Sequence, residues 1–341
     1  VQTSGTSDVQ VRTRVRLGAT TLEISPVGFG AWAIGGGNWQ GGWGPQDDEA
    51  SIAAIHHALD LGINWIDTAA AYGLGHAEEV VGRAIRGLPE AERPHVFTKC
   101  GLVWTPGSRE VRNVLAPDSI RRECDASLRR LGLERLDLLQ FHWPTHDGTP
   151  VEDSWRTMVE LVDEGKVAHI GVSNFDVELL ERCEAVRHVD TVQPELNLVN
   201  RRAAADVIPW AKGHGTGVLV YSPMKSGLLT GRFSSERVRS LPEDDWRRSH
   251  EEFTEPRLSE NMALVDRLRS VADRIGCSLP ELAVAWTLAW PGVDAAIVGA
   301  RSAEQVDGWV RAARLTLGDK DLDEMARAAE ETGAGSGPTR P

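Results

Sequence analysis

The apolar positions of this chain fall into short runs that alternate with longer stretches of helical periodicity. A hairpin signal comes first: Val15 to Leu17 and Thr21 to Ile24 flank a Gly-Ala-Thr turn, with side chains alternating along both arms. Val27-Gly28-Phe29-Gly30 then leads into a loop rich in Gly and Trp. The next stretch carries Ile52, Ile55 and Leu59 on one face, opens on Asp47 and Asp48 and stops at Gly62, which predicts a helix. The alternation recurs. Strands are predicted at Ile63 to Asp67, His95 to Lys99, Leu136 to His142, Ala168 to Ser173, Thr191 to Leu196 and Val218 to Tyr221. Helices are predicted between them, at Ala77 to Arg86, Asp118 to Leu131, Ser154 to Asp163, Val177 to Val186 and Ala203 to Lys212.

Successive strand starts lie 23 to 41 residues apart, the spacing of βα units. Leu136 to Phe141 is apolar on both faces, as a parallel sheet covered by helices requires. The spacing breaks after Tyr221. A charged loop, Ser234 to Pro256, and helices near Leu258 to Ile275 and Pro280 to Trp290 precede a last strand at Asp294 to Val298. Helices at Ala303 to Arg314 and Leu322 to Glu331 follow. Eight strands in this order predict an α/β fold, a (β/α)8 TIM barrel, with an N-terminal hairpin and additional helices near the C-terminus. A doubly wound open sheet would carry a strand–GxGxxG–helix fingerprint, and Gly35, Gly36 and Gly37 do not open a helix in that register. The barrel is expected over residues 14–331. The Gly, Ser, Thr and Pro content of residues 1–13 and 332–341 predicts flexible tails.

Composition narrows the function classes. The 341 residues are 41% apolar and 26% charged, ordinary for a globular chain. Acidic residues outnumber basic ones, 50 against 37, for a net charge of −13, which disfavours nucleic-acid backbones as partners. Cys100, Cys124, Cys183 and Cys277 are scattered, with no CxxC pair and no metal-ligand spacing. That pattern fits a reducing compartment, expected to be the cytoplasm, and no bound metal. No apolar run approaches the roughly 20 residues of a membrane span.

In a barrel of this kind chemistry sits where strands end. The predicted strands end in Ile66-Asp67-Thr68-Ala69-Ala70-Ala71-Tyr72-Gly73, Phe97-Thr98-Lys99-Cys100-Gly101, Gln140-Phe141-His142-Trp143-Pro144 and Gly171-Val172-Ser173-Asn174-Phe175. Gln193-Pro194-Glu195-Leu196-Asn197 and Tyr221-Ser222-Pro223 follow. Asp67, Lys99 and His142 thus stand at three consecutive strand mouths, with Tyr72 just beyond one of them. With GFGAW and IVGARSAEQ added, these motifs, in this order along nearly the whole chain, make it resemble the aldo-keto reductase superfamily; the loop GGWGPQDDEASI and the ending GARSAEQVDGW are most similar to its bacterial branches.

The resemblance implies a barrel that reduces aldehydes and ketones to alcohols with a nicotinamide cofactor and no metal. It assigns Asp67, Tyr72, Lys99 and His142 as the catalytic tetrad, and the chemistry agrees. Hydride delivery to a carbonyl carbon leaves negative charge on oxygen, so a proton donor is needed there. Tyr72 is the candidate for that role. A cation such as Lys99 would lower its pKa from about 10, and Asp67 would hold the lysine. His142 would hydrogen-bond the carbonyl oxygen and orient the substrate.

The same resemblance assigns the cofactor site. Ser173, Asn174 and Gln193 would take the nicotinamide carboxamide, and Tyr221 would stack on its ring. Gly30, Ala31, Trp32 and Asp67 would line the nicotinamide end. Ser222, Pro223, Met224, Lys225, Gly227 and Leu228 open the long seventh loop, which would fold over the pyrophosphate. Gly299, Arg301 and Gln305 would meet the adenosine end, with Arg301 on a 2′-phosphate and NADPH therefore preferred over NADH. One departure stands out: many relatives carry Glu-Asn where this chain has Gly308-Trp309.

Twelve tryptophans suit an apolar pocket, and Trp32, Trp104 and Trp143 are expected to line it with Tyr72 and His142. Trp39 and Trp43 read equally well as pocket or as loop packing. A monomer with a small-molecule carbonyl substrate is expected. Two alternatives stay open: a cofactor-binding regulatory subunit with little turnover, and a reductase dedicated to one narrow substrate.

Overall fold

The computed structural model describes residue 11 and residues 13–37, 39–145, 147–243 and 245–341. A short antiparallel hairpin, β1 (Val15–Arg16) and β2 (Glu23–Ile24), precedes β3 (Val27–Gly30), α1 (Asp48–Asp60), β4 (Trp65–Asp67), α2 (His76–Ile85) and β5 (His95–Cys100). A second antiparallel pair, β6 (Leu102–Trp104) and β7 (Val111–Asn113), leads to α3 (Pro117–Leu131), β8 (Leu136–Phe141), α4 (Val151–Asp163), β9 (Val167–Ser173) and α5 (Val177–Glu184). Then come β10 (Thr191–Gln193), α6 (Val207–His214), β11 (Gly217–Val220), α7 (Ser235–Arg239), α8 (Arg257–Ile275), α9 (Leu279–Leu288), β12 (Ala295–Gly299), α10 (Ala303–Asp307) and α11 (Asp319–Thr332). Eight parallel strands close in the order β3-β4-β5-β8-β9-β10-β11-β12, the expected (β/α)8 barrel.

Side chains alternate along each strand, so every strand sends one set outward and one inward. The outward set, including Phe29, Ile66, Val96, Phe141, Val172 and Val298, joins the helices in one large apolar core. The inward set builds two levels. Trp65, Phe97, Leu138, Leu219, Ala295 and Ile297 fill the lower barrel, sealed underneath by Leu17, Leu22 and Ile24 of the hairpin segment. Two residues further along the same faces stand Asp67, Lys99, Gln140 and Tyr221. The register makes this a ring: Gly30 lies beside Asp67, Lys99 beside Gln140, and Ser173 beside Gln193. A Cβ at Gly28 would run into the Trp65 indole, so only glycine lets that ring lie across the barrel floor.

Three expectations are corrected. The helix predicted from Ala203 begins at Val207, capped by the Asp206 carboxylate, because Pro209 suits only a first turn; a 3-10 turn at Arg202–Ala204 precedes it. The helix predicted over Ala303 to Arg314 stops at Asp307, and Val310–Arg314 continues as a separate 3-10 turn. The flexible tail expected over 332–341 is packed instead. Ala334 is buried, the Arg201 backbone N–H donates to Ser336 O at 2.8 Å, and the Arg201 guanidinium donates to Ala334 O at 3.1 Å. Small residues permit this close approach: Gly335, at φ +69°, sits directly against the Val199 backbone. Of the N-terminal tail expected over 1–13, most lies outside the described residues. Val11 is buried and donates its N–H to Leu61 O at 2.6 Å. Among the described residues no helix is long and apolar enough to cross a membrane.

Candidate active site

The mouth of the barrel gathers the four residues singled out for catalysis. Lys99 is fully enclosed. Its ammonium donates to Asp67 Oδ1 at 2.5 Å, to Thr68 O at 3.0 Å and to Tyr72 Oη at 3.3 Å. The other carboxylate oxygen of Asp67 accepts from Gln193 Nε2 at 2.9 Å. Because the Tyr72 oxygen accepts from Lys99, the phenolic proton is left to point elsewhere. The Tyr72 ring meets His142 edge-on, centroids 5.5 Å apart, and Asn174 Nδ2 donates to His142 O at 3.0 Å.

Tyr72 opens a tight left-handed turn in which Gly73, Leu74 and Gly75 have φ of 62°, 57° and 103°. Leucine is an unusual occupant of that region, so the surroundings must hold it there. Gly73 packs backbone to backbone on Gly35, leaving no room for a Cβ on either. The loop after β3 thereby fixes the tyrosine turn from one side.

Burial dominates the electrostatics. It opposes the charge on Lys99, but the attractions of Asp67 and Tyr72 outweigh it and hold the ammonium above its ordinary pKa. Burial also raises Tyr72, and the opposing pull of Lys99 does not cancel it, so the net direction is opposite to the lowering expected from the sequence. His142 is held well below its ordinary value by burial and then by Lys99, which keeps the imidazole neutral. Its Nδ1 is buried and has no hydrogen-bond partner among the described residues.

The residues assigned to the nicotinamide end lie on the neighbouring strands. Ser173 Oγ donates to Gln193 O at 2.8 Å, Asn174 Nδ2 donates to Ser173 Oγ at 3.1 Å, and Tyr221 Oη donates to Asn174 Oδ1 at 2.7 Å. Asn174 and Ser222 take φ of 62° and 55°, which turns their side chains sharply at the strand ends. Asn174 does not cap the following helix; the Asp176 side chain does, accepting from Leu179 N. Gly30 lies on the inner face, and the next residue, Ala31, donates its N–H to Asp67 O at 2.8 Å.

The residues assigned to the phosphates and adenosine are engaged elsewhere. Lys225 is buried and paired with Glu195 Oε1 at 2.7 Å. Gly227, at φ +93°, and buried Leu228 continue the turn that Ser222, Pro223 and Met224 begin. Arg301 donates through Nε to Gln46 Oε1 at 2.5 Å and through the other guanidinium nitrogens to Trp43 O and Pro45 O. Gln46 Nε2 returns a bond to Arg301 O at 3.0 Å, and Gln305 Oε1 accepts from Arg301 N at 2.9 Å. Gly299 is exposed, and Trp309 is packed in the core.

Aromatic rings wall the mouth, though not all the expected ones. The indoles of Trp32 and Trp39 lie 6.4 and 5.9 Å from the Tyr72 ring. Trp143 is 43% exposed, the only large apolar side chain so exposed among the described residues. Trp104 sits half-buried on β6, and neither it nor Trp143 makes a ring contact with Tyr72 among the described residues. Trp246 was missed: it stacks on Trp32 at 6.2 Å and 15°. Its neighbour Arg247 lies 4.9 Å over the Trp43 ring. The charged loop after β11 thus crosses the mouth to the loop after β3. An aromatic–arginine pair, Trp246-Arg247, inside an otherwise polar stretch was the available signal.

Comparison with known proteins identifies the family. The Aldo/keto reductase family model matches residues 26–330. The Aldo-keto reductase YhdN of Bacillus subtilis (strain 168) is 37% identical over 314 residues, 92% of each chain. The NADH-specific methylglyoxal reductase of Escherichia coli (strain K12) is 33% identical over 331 residues, 93% of this chain and 99% of that one. Among solved structures, the glycerol dehydrogenase AKR11B4 from Gluconobacter oxydans superposes with a TM-score of 0.86 at 37% identity, covering 95% of this chain and 97% of that one. With the match spanning almost the entire barrel, this chain belongs to the aldo/keto reductase family of oxidoreductases.

Proposed function

We propose that this protein reduces aldehydes and ketones to alcohols, with Tyr72 as the proton donor and Lys99, Asp67 and His142 as its support. The observation that carries the reading is Lys99 bridging Asp67 Oδ1 at 2.5 Å and Tyr72 Oη at 3.3 Å in a buried barrel mouth. A nicotinamide cofactor, when bound, supplies the hydride. The donor set fits such a group: Ser173, Asn174 and Gln193 cluster as hydroxyl and amide groups beside Asp67, and Tyr221 offers a ring next to them. At Gly299 a Cβ would meet only Gly30 O, at 3.6 Å, so the strand end is open for a close-lying ligand.

The residues divide the work. Lys99 donates to the Tyr72 oxygen, which frees the phenolic proton for the substrate oxygen and stabilises the phenolate that remains. Asp67 holds Lys99 in that position. Neutral His142 donates a ring N–H to the carbonyl oxygen, steering the carbonyl without giving up its own proton. Trp32 and Trp39 shed water from the reacting centre, which strengthens each of these interactions. All these groups come from one chain, and a monomer completes the site.

The relatives named for methylglyoxal and glycerol point to small, oxygen-bearing carbonyls as first substrates to try. A preference for NADPH rests on Arg301. To serve a 2′-phosphate, Arg301 must exchange Gln46, Trp43 O and Pro45 O for it, whereas NADH leaves those bonds intact. The deciding experiment follows reduced-nicotinamide absorbance with each cofactor and a panel of aldehydes, ketones and dicarbonyls. Tyr72→Phe is run in parallel, with cofactor binding read by tryptophan fluorescence. Turnover lost in Tyr72→Phe with binding retained is expected. Binding without turnover by the wild type on any carbonyl would instead favour the regulatory reading.

A further inference from the structure

Behind the tetrad, on the outer face of the barrel, lies a charged group that the chemistry above does not use. Glu78 is completely buried. It belongs to the first turn of α2, the helix that begins directly after the Tyr72 turn. Its Oε1 accepts from Thr98 Oγ1 at 2.5 Å, and its Oε2 accepts from Arg130 Nε at 2.6 Å. Thr98 is the residue before Lys99 on β5, and alternation sends it outward where Lys99 points inward. Arg130, near the end of α3, lies along the same turn: a Cβ on Gly75 would come within 2.9 Å of its Cδ. One carboxylate therefore ties together the strand that carries Lys99 and the helix that anchors Tyr72, with the arginine bracing the turn between them.

A buried carboxylate bound this way is costly to place and costly to leave unpaired. A purely apolar contact would join α2 to β5 with less risk. What the charged contact adds is direction: two short charge-assisted bonds fix where α2 sits along β5 more sharply than side-chain packing does. The separation they fix controls the Lys99–Tyr72 contact, which at 3.3 Å is the longest of the three Lys99 bonds and the one with slack to lose.

We propose that Glu78, through Thr98 and Arg130, is a positioning residue that sets the Lys99–Tyr72 contact and so the proton affinity of Tyr72 during turnover. This rests on the reading of Tyr72 as proton donor. Among the described residues, the charged and titratable groups facing Tyr72 are Lys99, Asp67, His142 and Tyr221, and those facing Glu78 are Arg130 and, from β5, Cys100. Replacing Glu78 or Thr98 changes none of the groups at the mouth; it changes only their spacing.

The test uses the whole chain with saturating reduced cofactor. Thr98→Val removes the hydroxyl at nearly constant volume, Glu78→Gln removes the charge, and Thr98→Ser restores the hydroxyl. For Thr98→Val and Glu78→Gln we expect kcat to fall by about 10- to 100-fold, in line with a displacement of roughly 1 Å or less at a reacting group. KM for the carbonyl and Kd for the cofactor should stay within about 2-fold. The alkaline limb of the kcat–pH profile should move upward, because Lys99 acts less on Tyr72. Thr98→Ser should return most of the activity. A merely structural role would lower the melting temperature while leaving kcat per folded site and the alkaline limb unchanged, and that result overturns the proposal. If Glu78→Gln does not fold, Thr98→Val decides alone. Wild-type turnover that survives Tyr72→Phe would instead overturn the reading of Tyr72, a separately visible failure.

Discussion

The two halves of the barrel mouth are built differently. On one side, Asp67, Lys99, Tyr72 and Gln193 are borne by strands or by a turn clamped between Gly35 and Arg130, and Lys99 has an acceptor for each of its three N–H groups. On the other, Arg301 and Gln46 meet across two loops and bond largely to backbone carbonyls. The first half spends burial on fixed geometry. On the proposed reading, the second leaves a cation whose present partners a ligand phosphate would replace. A reaction that tolerates little displacement needs the former, and recognition of one optional phosphate needs only the latter.

The sharpest way to break this contrast is at its fixed end. Tyr72→Phe should lower carbonyl reduction by about 10²- to 10⁴-fold, the usual range for a lost general acid, with cofactor binding retained. Asp67→Asn leaves Lys99 buried with its charge poorly matched, and about 3–5 kcal/mol of unfolding free energy should disappear in a urea titration. A loss under about 1 kcal/mol would mean that the pair is less isolated from water than its burial implies.

The acidity of Tyr72 sharpens the comparison. Burial raises it and Lys99 only partly opposes this, so the phenol stays protonated through neutral pH. The proposed reduction needs the protonated form, which is populated below the pKa. The kcat–pH profile should therefore be flat on its neutral side and fall only in strong alkali; Lys99→Met should push that fall further up. A falling limb near pH 7 would contradict both burial and role. At the loop-borne half, Gln46→Ala frees one Arg301 donor, and the NADPH:NADH ratio of binding constants should rise by several-fold with kcat little changed. Direct titration by tryptophan fluorescence reads it, and an unchanged ratio would remove Arg301 from phosphate recognition.

The smallest effect concerns Glu123, which accepts from Gly101 N at 2.8 Å just past β5. Burial raises its pKa from 4.5 to about 7. The unfolded chain releases this proton first, so between these two values the folded state holds more protons and stability falls as pH rises. Glu123→Gln should thus melt higher than wild type at pH 8 by a few degrees. At pH 5 the difference should shrink. Equal shifts at both pH values would show that the carboxyl titrates normally.

Much of this was readable along the chain. The hairpin, the eight strands and most helices follow from period-2 and period-3.6 patterning, and Asp67, Lys99 and His142 announce themselves because charged or polar residues rarely interrupt apolar strands without a reason. The motif order pointed to the family. Less readable were Trp246 and Arg247, which lie about 200 residues from their partners Trp32 and Trp43 and sit in a stretch that reads as a solvated loop. Glu78 was invisible for a related reason: on a helix with an exposed face, a glutamate reads as solvent-facing until the strand behind it is known. The residues at 332–341 read as loose by composition, although their small side chains are what lets the backbone dock on Arg201.

What the sequence determined by itself is local: alternation within strands, helix starts, and the residue types at strand ends. Those properties depend on neighbours a few positions away. The tertiary structure decided which side chains share a proton, which cation is already occupied, and which way the Tyr72 pKa moves. Burial and long-range pairing fix those, and both exist only once β4, β5 and α2 have come together.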